Sequence, residues 1–186
     1  MDIILITLHG GCFIGGNSSY DKEQTSLLSG IFKHVFQLDF VKTNLESTIA
    51  DLKRQIHELK EKYTGKKFYV LGRSSGGYLA KVLFDAGLFE KAIYLCPVFN
   101  PILRGQLVKH LGEKASAYFK DQHVYLTNSW DTKNETLYLA SNDQNVPNEC
   151  FTDEQLKNAI YVGPITHTGM IECTSKLFVD SIMANI

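Results

Sequence analysis

A chain of 186 residues, 44% hydrophobic and 21% charged, is long enough for one well-packed domain and short for a two-domain enzyme. Nineteen basic residues against twenty acidic ones leave a net charge of −1, which gives no reason to expect a nucleic-acid partner. No apolar run approaches the length of a membrane span, and Asp2 stands where a signal peptide would carry basic residues.

The first predicted element is Ile3–Leu8. It is a continuous apolar and β-branched run of the kind found in strands covered on both faces, and it ends in His9-Gly10-Gly11-Cys12-Phe13-Ile14-Gly15-Gly16. A helix carrying Leu27, Leu28 and Ile31 is predicted over 20–34, then a strand over 35–41. Thr43 and Glu46 form a capping-box pattern ahead of a long helix. In that helix Leu45, Ile49, Leu52, Ile56, Leu59 and Tyr63 recur at steps of four and three, on one face, and Gly65 occupies the C-cap region. A third strand covers 67–71, a helix runs over 77–86 to Gly87, and a fourth strand, 92–96, is closed by Pro97.

Residues 100–135 hold Leu107, Val108, Leu111, Tyr118, Phe119 and Trp130 without a period. They read either as a small cap over a site or as an ordinary crossover helix with a loop. A fifth strand follows at 136–140, a short helix at 153–159, a sixth strand at 160–162 and a last helix over 170–186, with Leu177, Phe178 and Ile182 inward. Strands and helices alternate and the strands are apolar throughout. The expected fold is therefore α/β, with a mostly parallel sheet of about six strands flanked by helices, in a single domain spanning 1–186.

Ligands of such sheets bind beyond the carboxyl ends of the strands, where the glycine nest at 10–16 lies. It does not follow G-x-G-x-x-G in either register, and Gly65-Lys66-Lys67 fails the phosphate-loop pattern. The stronger signal is Gly72-Arg73-Ser74-Ser75-Gly76-Gly77, a G-x-S-x-G run set between an apolar strand and a helix. A serine on so sharp a turn needs small neighbours two residues away on each side. The amide after it falls at the first turn of a helix, where unpaired donors favour negative charge. Ser74 is the expected nucleophile, and the Ser75 amide the expected donor.

A nucleophilic hydroxyl needs a base, and the base an orienting acid. His34 and His57 fall in helical patterns, His110 and His123 in the irregular stretch, and His9 in the glycine nest. His167, after the last short strand, is the best base. Asp143 follows the fifth strand and is the best acid; Glu149 and Asp153 lie further past it, and Asp131 precedes the strand. Cys12, Phe13, Phe99 and Ile165 fall near predicted strand ends and either line an acyl pocket or belong to ordinary packing. Arg73 either faces an acidic substrate or pairs with the scaffold. No HExxH or comparable ligand spacing occurs, so no metal and no cofactor is assigned.

These pieces together resemble the α/β-hydrolase superfamily, and within it esterases of the HGGG or hormone-sensitive-lipase-like type. The matching residues are His9-Gly10-Gly11 with Gly15-Gly16, the elbow at 72–77, Asp143 with Val146-Pro147, and His167. The resemblance implies that Ser74, Asp143 and His167 form a catalytic triad. It further implies that Gly10, Gly11 and Ser75 offer amides to an oxyanion and that His9 braces their loop. Cys12 departs from the pattern, standing where many relatives have a further glycine. The chain also starts at what resembles the third of eight strands, so a minimal fold without the first two is expected. An uncovered first strand would invite edge pairing, which makes a homodimer an expectation.

The implied activity is a serine carboxylesterase acting through an acyl-enzyme on a small-molecule ester with a small acyl group. Amide, thioester or peptide hydrolysis is the nearest alternative, and a catalytically silent binding protein is the alternative of a different class. Four scattered cysteines, Cys12, Cys96, Cys150 and Cys173, read as free thiols of a reducing, cytoplasmic setting. Neither nucleic acid nor a membrane span is expected.

Overall fold

A computed structural model describes residues 2–11, 22–40, 44–107, 129–171 and 176–185. Six strands form one sheet: β1 (Ile3–Leu8), β2 (His34–Leu38), β3 (Lys67–Arg73), β4 (Lys91–Leu95), β5 (Glu135–Ala140) and β6 (Ile160–Val162). Their spatial order is β2-β1-β3-β4-β5-β6, and every neighbouring pair is parallel. All carboxyl ends therefore open on one edge of the sheet. This is the predicted α/β architecture, a minimal α/β-hydrolase fold lacking the first two strands.

Alternation along the strands divides the core in two. Ile4, Ile6 and Leu8 of β1 pack with Phe68 and Val70 of β3 against α2 (Leu45–Lys62) and α3 (Ser75–Asp85). Ile3 and Leu5 pack with Tyr69 and Leu71 on the other face, against α1 (Lys22–Ser29) and α7 (Lys176–Ala184). Between these elements lie α4 (Pro101–Leu107), a 3-10 turn at Asn148–Cys150, α5 (Asp153–Lys157) and α6 (His167–Ile171). No helix among the described residues is long and apolar enough to cross a membrane.

Several predicted boundaries move. The stripe on α2 is observed, with Leu45, Ile49, Leu52 and Ile56 buried. Its cap is Asn44 rather than the Thr43–Glu46 box: the Asn44 side chain accepts the Ser47 amide at 2.8 Å, the N3 donor that a cap must satisfy. Thr43 lies outside the described residues. His34 opens β2 instead of closing the preceding helix. The stretch predicted as one final helix holds α6 and α7, with 172–175 outside the described residues. Part of 100–135 is helical at α4, and 108–128 lie outside the described residues, so its reading as a cap stays an expectation.

The first strand is not an edge. β1 lies between β2 and β3, and the sheet edges are β2 and β6. The edge-pairing reason for a homodimer therefore falls away from β1.

Candidate active site

The elbow forms because the sequence is too small at three positions to prevent it. A Cβ on Gly72 would lie 2.6 Å from the Ala80 Cβ and from the Gly76 carbonyl oxygen. One on Gly76 would meet the His9 carbonyl oxygen and sit 2.5 Å from that of Leu8; one on Gly77 would sit 2.5 Å from the Pro97 ring. The start of α3 is thus pressed against the ends of β1 and β4. Between strand and helix, Ser74 takes φ 49°, ψ −120°, a backbone state costly for a residue with a side chain. The surrounding bonds hold it there: its amide donates to Leu95 O at 2.9 Å, and its carbonyl accepts from Gly77 N and Val98 N at 2.9 and 3.0 Å.

Asp143 lies three residues past β5, on a loop fastened to the loop that carries His167. Ser141 N donates to Val162 O at 3.0 Å and Asn142 N to Ile165 O at 3.1 Å. The three side chains predicted from the sequence converge. His167 Nε2 is 2.9 Å from Ser74 Oγ, and His167 Nδ1 is 2.7 Å from Asp143 Oδ2. The other carboxylate oxygen accepts the amides of Asn145 at 2.8 Å and Val146 at 2.9 Å. Each carboxylate oxygen therefore has a donor, and the imidazole is held with its far nitrogen toward the hydroxyl. This is the catalytic triad of a serine hydrolase.

The electrostatics agree with those roles. Burial pushes Asp143 toward its neutral form, but the hydrogen bond and charge of His167 and the Val146 and Asn145 amides outweigh it. The carboxyl is held below its ordinary value. An ionised, fully bonded acid can orient the imidazole and stabilise its charged form.

Of the remaining predicted residues, Ser75 is the first residue of α3 and Gly10 and Gly11 follow β1. Gly11 takes φ 68°. His9 is buried, stacks on Phe40 at 4.5 Å between ring centres, and has Nδ1 2.9 Å from Gly10 O. Phe99 is buried among aromatic rings, edge-on to Tyr94 at 4.9 Å, and Ile165 packs against the second core. Cys12 and Phe13 lie outside the described residues. Arg73 points into the scaffold, its Nε donating to Gln24 of α1. Among the rival acids, Glu149 and Asp153 are exposed, and Asp131 sits before β5, at the opposite end of the sheet.

Two neighbours of the triad escaped the sequence reading. Arg104 of α4 donates from Nε to Asn145 O at 2.8 Å, bracing the loop that holds Asp143. Cys96, directly after β4, is fully buried at φ 44°, and its Sγ accepts the Ala140 amide at 3.3 Å. Its place before Pro97 at a strand's carboxyl end was the available signal. Burial, and then the charge of Asp143, push its thiol far toward the protonated form.

A family model described as an uncharacterised protein family (UPF0227) matches residues 4–157. No curated protein matches the sequence significantly. Among solved structures, a putative esterase from Staphylococcus aureus is similar with a TM-score of 0.72 at 16% identity, over 99% of this chain and 73% of that one. An esterase from Pyrococcus furiosus gives 0.68 at 16%, over 99% and 80%. An α/β hydrolase superfamily protein from Enterococcus faecalis gives 0.65 at 15%, over 98% and 88%. At these identities the likeness is one of fold.

Proposed function

The chain belongs to the uncharacterised protein family UPF0227, and we propose that it hydrolyses carboxylic esters with small acyl groups through an acyl-enzyme on Ser74. The observation that carries this reading is the continuous relay Ser74–His167–Asp143, at 2.9 and 2.7 Å. As the Ser74 oxygen attacks the ester carbonyl, His167 Nε2 takes its proton, and Asp143 stabilises the imidazolium. His167 then protonates the departing alcohol. In the second half it removes a proton from water, which releases the acid and restores Ser74.

The tetrahedral oxygen is held by the amides of Ser75 and of Gly10 or Gly11, as in HGGG-type esterases. Three features support this assignment. Gly76 lets the end of β1 approach the elbow, Ser75 opens an eleven-residue helix, and the buried His9 steadies the turn into the glycines. Losing one such donor typically costs about 3–4 kcal/mol in the transition state, or roughly 100- to 1,000-fold in rate. Ser74 is only 8% exposed, which favours short acyl groups over bulky ones.

Intact-mass spectrometry after a fluorophosphonate probe tests the reading. One stoichiometric adduct is expected on the native protein and none on Ser74→Ala, followed by turnover of short-chain aryl esters. Absence of an adduct on folded native protein would overturn it. An adduct with turnover only of amides, thioesters or peptides would retain the triad and move the substrate class.

A further inference from the structure

Three metal-binding side chains of different chemistry meet behind the catalytic histidine. Cys96 Sγ, an Asp143 carboxylate oxygen and a His167 ring nitrogen all lie within 4.8 Å of one another. Cys96 takes no part in the ester mechanism, although it is fully buried beside it. The geometry points to a second property of this site: it captures a zinc ion between Cys96, Asp143 and His167 Nδ1, and capture switches the hydrolase off.

Ligand type, charge and distance all bear on this. Zinc accepts sulfur, nitrogen and oxygen together in tetrahedral sites, with bonds of about 2.3, 2.0–2.1 and 2.0–2.2 Å. Ligand atoms around such an ion stand about 3.3–3.8 Å apart. The Asp143–His167 contact of 2.7 Å would open by about 1 Å or less, and the thiol, within 4.8 Å of both partners, would close by up to about 1.5 Å. One thiolate and one carboxylate balance the charge of the ion, so the buried complex is neutral. That matters because His167 and Asp143 are almost closed to solvent, with side chains 8% and 7% exposed. The fourth position is left for water.

The inhibitory consequence rests on the serine-hydrolase reading and follows from proton accounting. In the resting triad the imidazole carries its proton on Nδ1, toward Asp143, and Nε2 accepts from Ser74. Zinc takes the Nδ1 lone pair, and the ring proton moves to Nε2. Cys96 loses its thiol proton to solvent as the zinc–sulfur bond forms, so one proton is released per ion bound. The imidazole then donates to Ser74 Oγ and has no lone pair left to remove the hydroxyl proton. At the same time Asp143 is withdrawn from its orienting role. One ion would therefore disable both the base and its acid without touching Ser74.

The test uses the full chain, native and Cys96→Ser, with Cys96→Ala as a second variant should the serine form fail to fold. Free zinc is set with a metal buffer, and fluorophosphonate labelling of Ser74 is followed. In parallel, cobalt(II) is titrated and the thiolate-to-cobalt charge-transfer absorption is read; this reports binding without reference to activity. Native protein is expected to bind one equivalent with a thiolate band, and to lose labelling as zinc fills the site. The Cys96 variant should lose the band and need at least about tenfold more zinc for the same inhibition, since even outer-shell changes cost 10- to 100-fold in metal affinity. Equal zinc sensitivity in native and variant protein, or a native protein without the band, would overturn the proposal. A native protein that shows the band yet is not labelled without zinc would retain the metal site and overturn the hydrolase reading instead.

Discussion

At the scale of single residues, Ser74 and Asp143 carry different burdens. Ser74→Ala removes the only atom that forms the acyl bond and leaves the fold intact; covalent labelling should vanish while the thermal midpoint stays close to native. Asp143→Asn keeps the shape but offers Nδ1 of His167 an amide that can present a donor, which selects the wrong tautomer. A loss in kcat of up to about 10⁴-fold is expected from steady-state kinetics on an ester. Near-native kcat would transfer the acid role elsewhere. Asp143 also links the site to stability. Its carboxyl is held below the ordinary value in the folded chain, so its contribution is present above about pH 4, the unfolded range, and is lost as pH falls through the folded value. Denaturant unfolding followed from pH 6 to pH 3 should show the native protein losing more stability than Asp143→Asn over that interval.

At the scale of elements, the elbow is a packing problem solved by glycine. Gly76→Ala would drive a methyl group into the carbonyls of Leu8 and His9, and backbone cannot move aside as a side-chain tip can. The substitution should destabilise by about 1–3 kcal/mol or more, and should also slow labelling of whatever protein remains folded, because β1 and the glycine loop after it must shift. Thermal denaturation paired with labelling rate separates the two effects. Ser74 at positive φ belongs to the same account, since α3 can start against β1 and β4 only if the chain turns that sharply. At α2 the local chemistry is ordinary: Asn44→Ala removes one cap bond and should cost about 1 kcal/mol with activity unchanged.

At the scale of the whole molecule, an ionic cluster ties the nucleophile helix to the sheet at the end opposite the site. Lys81 of α3 is buried and contacts Asp85 at 2.6 Å and Glu135 of β5 at 3.2 Å. Glu135 also accepts from the Tyr94 hydroxyl and the Asp131 amide, each at 2.7 Å. With its remaining lone pairs occupied, Glu135 has little capacity to tolerate loss of the cation. Lys81→Met should cost about 3–5 kcal/mol by chemical denaturation, because the buried Glu135 carboxylate would lose the cation that faces it. A change under 1 kcal/mol would mean that water reaches the cluster. The parallel sheet is the other global device: with every strand pointing the same way, the ends of β3, β5 and β6 deliver serine, acid and histidine to one edge.

Much of this was readable along the chain, for a physical reason. Strand and helix identity follow from apolar runs and from spacing, as in Ile3–Leu8 and the α2 stripe. Ser74 follows from the steric demand of its turn, which only small neighbours meet. Asp143 and His167 follow from standing just after strands in a sheet whose carboxyl ends share an edge. What the chain alone did not decide depends on contacts between distant segments. The capping of α2 by Asn44 rather than by the Thr43 box turns on a local bond of 2.8 Å that two adjacent polar residues could each have made. The interior place of β1 comes from β2 folding back beside it, which no run of residues encodes by itself. Arg104 bracing Asn145 across 41 positions, and Cys96 brought within reach of Asp143 and His167, exist only because packing closes those separations. Sequence determined which residues could do chemistry and in what order they come. The tertiary structure decided which of them touch, because distance in space, unlike periodicity, is a property of the folded chain.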